Sequence, residues 1–248
     1  MRALVMIRPQ PHYRRDSIEK GLQSVGYKLV KSLDQPTPDD CLVIWNRYGT
    51  YHSMACKFEA AGARVFVFEN GYLGNDWIDR RWYSLSLSHH NGAGKYKPKG
   101  PERWDSLGVE IAPRREFGSV LLLPQRGIGE DGVAMPSDWL PRTERLMKEH
   151  GIPYTVRMHP GKNETTPLES ALDGVLFAVT WGSGAAIKAL LHGCYIGSDF
   201  SKWIAYDAAD SLTDDKPIIE PLEMFRRLIW AMWTVEEIES GACFDHLI

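Results

Sequence analysis

Tyr154-Thr-Val-Arg-Met-His-Pro-Gly161 and, after a polar spacer, Val175-Leu-Phe-Ala-Val-Thr-Trp-Gly-Ser-Gly-Ala-Ala-Ile-Lys-Ala-Leu-Leu-His-Gly193 decide how this chain folds. Two short apolar runs, Tyr154–Met158 and Val175–Thr180, are rich in β-branched and aromatic residues and read as buried parallel strands. Each stops in a turn of Pro, Gly or Ser. Ala185 to His192 then has helical spacing and closes at Gly193, the C′ position that favours glycine. A strand, a glycine turn and a helix N-terminus leave free backbone N–H groups at the positive end of a helix dipole, where a phosphate sits well. One such turn is common in α/β proteins without a ligand. Two neighbouring strand ends, one carrying His159 and the other Ser183, say more.

The same grammar extends in both directions. Upstream, Ser119–Leu123 is an apolar strand ended by Pro124-Gln125-Arg126-Gly127, and Ser137-Asp138-Trp139 opens a helix to His150. Downstream, Cys194–Gly197 is a further strand. The first half repeats the pattern with strands at Ala3–Ile7, Tyr27–Val30, Cys41–Trp45 and Arg64–Phe68, the last running into Glu69-Asn70-Gly71. Between them lie a helix capped by Asp16 or Ser17 and closed by Gly26, and a helix over His52–Ala61. Trp82–Ser88 alternates and reads as an additional strand, and a polar loop from His89 leads into a linker or lid. The β-α-β order with short connections implies parallel sheets covered by helices. The expected architecture is α/β, with Rossmann-like halves at 1–115 and 116–219 facing a cleft. Helices over 220–248 would pack back across both, with Phe225, Leu228, Ile229, Met232 and Trp233 on one face.

Composition fits that size. The 248 residues, 44% apolar and 25% charged, suit one large domain or two small ones. A net charge of −3 carries no general signature for nucleic acid. The cysteines are widely spaced with no CxxC pair, which indicates neither a zinc site nor a disulfide framework and suits a reducing cytosol. Adjacent His89 and His90 have no carboxylate at ligand spacing, so no metal is expected. The N-terminal run becomes charged too early for a signal peptide, and no apolar run approaches the roughly 20 residues that span a bilayer. A cytoplasmic protein is expected.

Candidate chemistry falls at strand ends. Arg157, His159 and the rigid Pro160 form one group, in which the imidazole gives a hydrogen bond or a positive charge to a phosphate oxygen and, as a catalytic residue, stabilises the departing diphosphate. Gly182, Ser183 and Gly184 form a second, where glycines permit close backbone approach and the hydroxyl adds a donor; Thr180 ends the strand before it. A plain tight turn reads the same way. Lys188 lies one turn into the following helix and either reaches the ligand or faces solvent. Gln125, Arg126 and Gly127 form a third, with Arg126 able to clamp a phosphate bidentately. Glu69 is the candidate base: a carboxylate directly after a buried strand takes a proton from a hydroxyl, although a helix cap or a salt-bridge partner looks the same in sequence. Trp45, Trp77, Trp82 and Trp181 lie near strand ends, where a ring stacks on a sugar or base.

With Glu69-Asn70-Gly71, His159-Pro160 and Ser183-Gly184 in that order, the chain resembles the GT-B glycosyltransferases, and within them the bacterial sialyltransferase and capsule-type Kdo transferase groups. The closing Trp233-Thr-Val-Glu-Glu-Ile-Glu-Ser-Gly241 is similar to the C-terminal helix of capsule synthesis proteins and of phage-borne relatives. Asn70 stands where those groups often place a second acid, and Lys188 where a ribose-binding glutamate is frequent. The resemblance implies a sugar moved from a nucleotide-sugar donor to a hydroxyl acceptor, with no metal or other cofactor. Glu69 would be the base, and His159 and Ser183 would lie on the donor. The acceptor it implies is a bacterial surface glycan or a hydroxymethylated pyrimidine in phage DNA, acted on inside a bacterial host cell by a chain that a phage can encode. A DNA acceptor needs a basic groove, for which Arg8, Arg14, Arg15, Arg47, Arg80, Arg81, Lys95, Lys97 and Lys99 are available. Scattered surface charges are the simpler account of them. The rival readings are a nucleotide- or sugar-binding module without transfer and a sugar-nucleotide epimerase.

Overall fold

The computed structural model describes residues 1–90, 92–159, 167–210 and 218–248. The elements run β1 (Arg2–Val5), α1 (Arg15–Ser24), β2 (Lys28–Val30), β3 (Cys41–Trp45), α2 (Gly49–Ala60), β4 (Arg64–Asn70) and β5 (Trp82–Leu87). There follow α3 (Glu102–Asp105), β6 (Ser119–Leu123), α4 (Trp139–Glu149), β7 (Tyr154–Val156), α5 (Leu168–Ala171), β8 (Val175–Thr180), α6 (Gly184–Leu191) and β9 (Tyr195–Gly197). The chain closes with α7 (Pro221–Leu228), β10 (Met232–Thr234), α8 (Val235–Ser240) and α9 (Ala242–Leu247). Two compact units result: residues 1–100 together with 227–248, and residues 101–226.

In the first unit the strands form one six-stranded sheet in the order β10-β5-β4-β3-β1-β2. β2, β1, β3 and β4 are parallel, while β5 and β10 run antiparallel to their neighbours. Alternation sorts the side chains. Ala3, Val5, Cys41, Val43, Phe66 and Phe68 face one way, onto Ile18 and Leu22 of α1 and Ile238, Cys243, Phe244 and Leu247 of α8 and α9. Leu4, Leu42, Ile44, Val65 and Val67 face the other way, onto Ala55 and Phe58 of α2. With both faces covered, β3 is buried almost throughout, which is why its sequence is an unbroken apolar run. The ring of Phe244 meets Phe66 edge-on, with centroids 5.2 Å apart. Gly21 lets α1 and α8 touch, because a Cβ there would collide with the backbone oxygen of Ile238.

In the second unit a four-stranded parallel sheet has the order β7-β6-β8-β9. Trp139 and Met147 of α4 pack onto Leu122 and Val179. The chain leaves β6 toward β7 on one side and leaves β8 toward β9 on the other, so the strand order reverses between β6 and β8.

Three local expectations change. Tyr154–Met158 is parallel as expected, but the strand stops at Val156 and is the sheet edge, with Thr155 and Val156 exposed instead of buried. Met232 and Trp233 lie on a strand rather than a helical face, because residues 232–234 pair with residues 82–84 on the antiparallel edge. The cap of α1 is Arg14 in the left-handed region, φ 50°, whereas the Ser17 hydroxyl donates to Glu239 at 2.9 Å.

Candidate functional site

Glu69 is the sixth residue of β4, a strand that runs on to Asn70 because β5 pairs with it there, Glu69 opposite Ser84 and Asn70 opposite Tyr83. The side chain is half-buried at the carboxyl end of the strand. Tyr72 donates its hydroxyl proton to Glu69 Oε1 at 2.9 Å. Asn70 accepts from Asn75 Nδ2 at 3.1 Å, and the Ser84 hydroxyl donates to the Asn70 carbonyl at 2.5 Å. Gly71 is required by crowding: a Cβ would lie 2.8 Å from the Gly74 oxygen. This edge is therefore tightly tied, and its carboxylate is oriented by a phenol.

In the second unit three strand ends adjoin. The loop after β6 carries half-buried Gln125 and exposed Arg126, with Gly127 in the left-handed region at φ +64°. The Gln125 side chain donates from Nε2 to the Gly182 carbonyl at 2.9 Å, joining this loop to the turn after β8. Thr180 is fully buried and shapes that turn, donating to the Leu123 carbonyl at 2.8 Å and accepting from the Ser183 N–H at 3.1 Å. Ser183 is the N-cap of α6, its hydroxyl oxygen accepting from the Ala185 N–H at 3.1 Å, so its own proton remains to be donated. Gly182 is buried and Gly184 opens the helix. After β7 come half-buried Arg157, whose N–H continues the sheet to the Leu122 carbonyl at 3.0 Å, and exposed His159. Pro160 lies outside the described residues. Lys188 faces Glu169 of α5, Nζ to Oε1 3.7 Å.

What this arrangement can do follows from charge. Arg126, Arg157 and His159 bring cationic or donor groups to the ends of β6 and β7, and α6 points its capped N-terminus out of the adjoining β8. An anion fits such a place, and open α/β sheets bind ligands where the strand order reverses.

Several other candidates are otherwise engaged. Arg47 is buried, with its guanidinium bidentate on Glu59 at 2.7 and 2.8 Å and bonded to the Ser88 carbonyl at 2.6 Å, so it belongs to no surface groove. Arg81 pairs with Asp76, and Arg15 with Glu19. Trp82 is core, and Trp181 stacks on Phe200 with its Nε1 donating to the Val133 carbonyl at 2.9 Å. His89 and His90 are buried and stacked, and His90 Nδ1 accepts the Arg47 N–H at 2.9 Å. Among the described residues no cluster of three or more His, Cys, Asp or Glu is arranged to hold a metal, and no helix is long and apolar enough to cross a membrane. The partner that sequence reasoning misses is Tyr72. Its one signal is an aromatic residue directly after Glu69-Asn70-Gly71.

The solved structures that match nearly the whole chain include two transferases. A β-Kdo 2,7-transferase, KpsC of Thermosulfurimonas dismutans, superposes with a TM-score of 0.64 at 9% identity, covering 98% of this chain and 99% of its own. A β-Kdo 2,4-transferase, KpsC of the same organism, gives 0.61 at 12% identity, covering 96% and 98%. No protein-family model and no curated protein matches the sequence. At these identities the likeness is one of fold, and the fold is that of the GT-B-type glycosyltransferases, as the motif order leads one to expect.

Proposed function

We propose that this chain is a glycosyltransferase that takes a sugar from a nucleotide-sugar donor and places it on a hydroxyl of a glycan. The observation that carries the reading is the set of strand ends around the β6–β8 reversal, where Arg126 and the Ser183-capped helix are joined by Arg157 and His159 from the loop after the neighbouring β7. The donor's phosphates lie there. Ser183 donates its hydroxyl proton to a phosphate oxygen, backbone N–H groups of the turn add theirs, and Arg126 and His159 offset charge that grows as the nucleotide leaves. Glu69 accepts the proton of the acceptor hydroxyl. The freed oxygen forms the new bond to the anomeric carbon while the bond from that carbon to the phosphate oxygen breaks, and the nucleotide departs with both electrons. No metal is needed in this scheme, since cationic side chains and the helix dipole supply the stabilisation. A glycan acceptor is favoured over DNA because Arg47, Arg81 and Arg15 are already paired with carboxylates.

The test is a thermal-shift screen against UDP-, GDP-, CMP- and ADP-sugars and the free nucleotides. One nucleotide family is expected to raise the melting temperature, by about 2.7 kcal/mol of stabilisation at a hundredfold excess over Kd, and His159→Ala to abolish the rise. In a transfer assay with that donor, Glu69→Gln is expected to keep the shift and lower kcat by about 10²–10⁴-fold. Donor turnover without an acceptor would favour an epimerase, and binding without turnover a non-catalytic module. No shift from any nucleotide would remove the proposal.

A further inference from the structure

Tyr72 stands three residues beyond Glu69, and the scheme above gives it no task. Its side chain is buried, which is costly for a phenol unless its hydroxyl is satisfied. The hydroxyl is satisfied twice: it donates to Glu69 Oε1 at 2.9 Å, and its oxygen accepts the N–H of Gly92. Both partners are themselves fixed. The strand end before Tyr72 is closed by the Gly74 N–H to the Gly71 carbonyl at 2.9 Å. Gly92 belongs to a loop folded back from β5, held by the Ser86 hydroxyl on the His89 carbonyl at 2.5 Å and by the Arg47 N–H on His90 Nδ1 at 2.9 Å. Burial, and next the charge of Glu69, raise the phenol's ionisation well above its usual range, so it stays a donor wherever Glu69 is ionised.

We propose that Tyr72 is a positioning residue for Glu69, holding the carboxylate in one rotamer and in its anionic form for the incoming hydroxyl. The proposal rests on the reading of Glu69 as the base. A phenol whose oxygen already accepts from a backbone N–H turns its proton to Glu69, which favours the carboxylate over the carboxylic acid, and a donor held from behind in this way resists following the carboxylate into another rotamer. Charged and titratable groups also stand on the surrounding elements. Tyr96, His89 and His90 follow β5, and Asp76 and Arg81 are paired in the connection between β4 and β5. Arg47 follows β3, with Glu59 and His52 of α2 on its guanidinium.

The experiment is a ¹³C NMR titration of the glutamate carboxyls in the full chain, with the Glu69 signal assigned from its loss in Glu69→Gln. Tyr72→Phe is expected to move the Glu69 midpoint to higher pH, because the anion loses a donor. Replacing Tyr72 with 3-fluorotyrosine keeps the shape and makes the phenol more acidic, hence a stronger donor, so the midpoint is expected to move the opposite way. A midpoint that stays put in the fluorotyrosine protein overturns the proposal even if Tyr72→Phe fails to fold. If the midpoint responds while Glu69→Gln retains full transfer, the positioning of the carboxylate stands and the base reading alone falls.

Discussion

Asp40 shows how much of this fold hangs on single polar groups. It is almost wholly buried, and it accepts from Arg2 N, Nε and Nη2 at 2.8, 3.0 and 2.6 Å and from Thr37 N and Oγ1 at 2.9 Å each. The Arg2 guanidinium above all, and then the Thr37 donors, hold its carboxyl well below the usual carboxylate range. A depressed folded-state value contributes stability that is present above the unfolded value, near pH 4, and is lost as pH falls toward the folded one. Asp40→Asn is therefore expected to unfold more readily than the parent in urea at pH 7. The gap should close progressively below about pH 4, and one that persists unchanged into acid would contradict the linkage. Ser183 is a second such residue. Ser183→Ala leaves the Ala185 N–H without its cap, a cost of about 1 kcal/mol in thermal unfolding, and removes a proposed phosphate donor as well.

Elements explain what sequence makes legible. β3 announces itself, since residues buried on both faces are apolar without interruption, β8 does so by its apolar run Val175–Val179, and glycine closes α6 at Gly193 with φ +81°. The strand-end positions of Glu69, Arg126 and Ser183 follow from the same pattern. What stays hidden depends on partners far away in sequence. β10 has three residues, sits between helical segments, and is a strand only because β5 offers an edge about 150 positions earlier. Tyr72 is hidden for the same reason, since Gly92 reaches it through a loop that carries no helical or strand period. The α1–α8 contact is testable at this scale. Gly21→Ala forces the two helices apart at Ile238, and is expected to cost about 1–3 kcal/mol in chemical denaturation. Alanine would be favoured there by helix propensity alone, so a neutral or stabilised variant would show that the contact is slack.

At the scale of the whole molecule, charge and chain order matter most. A net −3 with several arginines tied to carboxylates is consistent with the glycan acceptor proposed above. Transfer is expected to change little between about 50 and 200 mM salt, where contacts to a DNA backbone would cost about 10³-fold or more. The first unit also takes Trp233, Ile238, Phe244 and Leu247 from beyond residue 226 into the core it shares with Phe66 and Phe68. Its sequence is thus split around the second unit, which is continuous. A ribosome delivers residues 101–226 whole, at a time when the opening hundred residues still lack α8 and α9, which share with α1 the cover of one face of their sheet. During those seconds of synthesis the part of that apolar face that α1 leaves bare is open to chaperones and to other nascent chains, so the second unit has the chance to complete itself before the first.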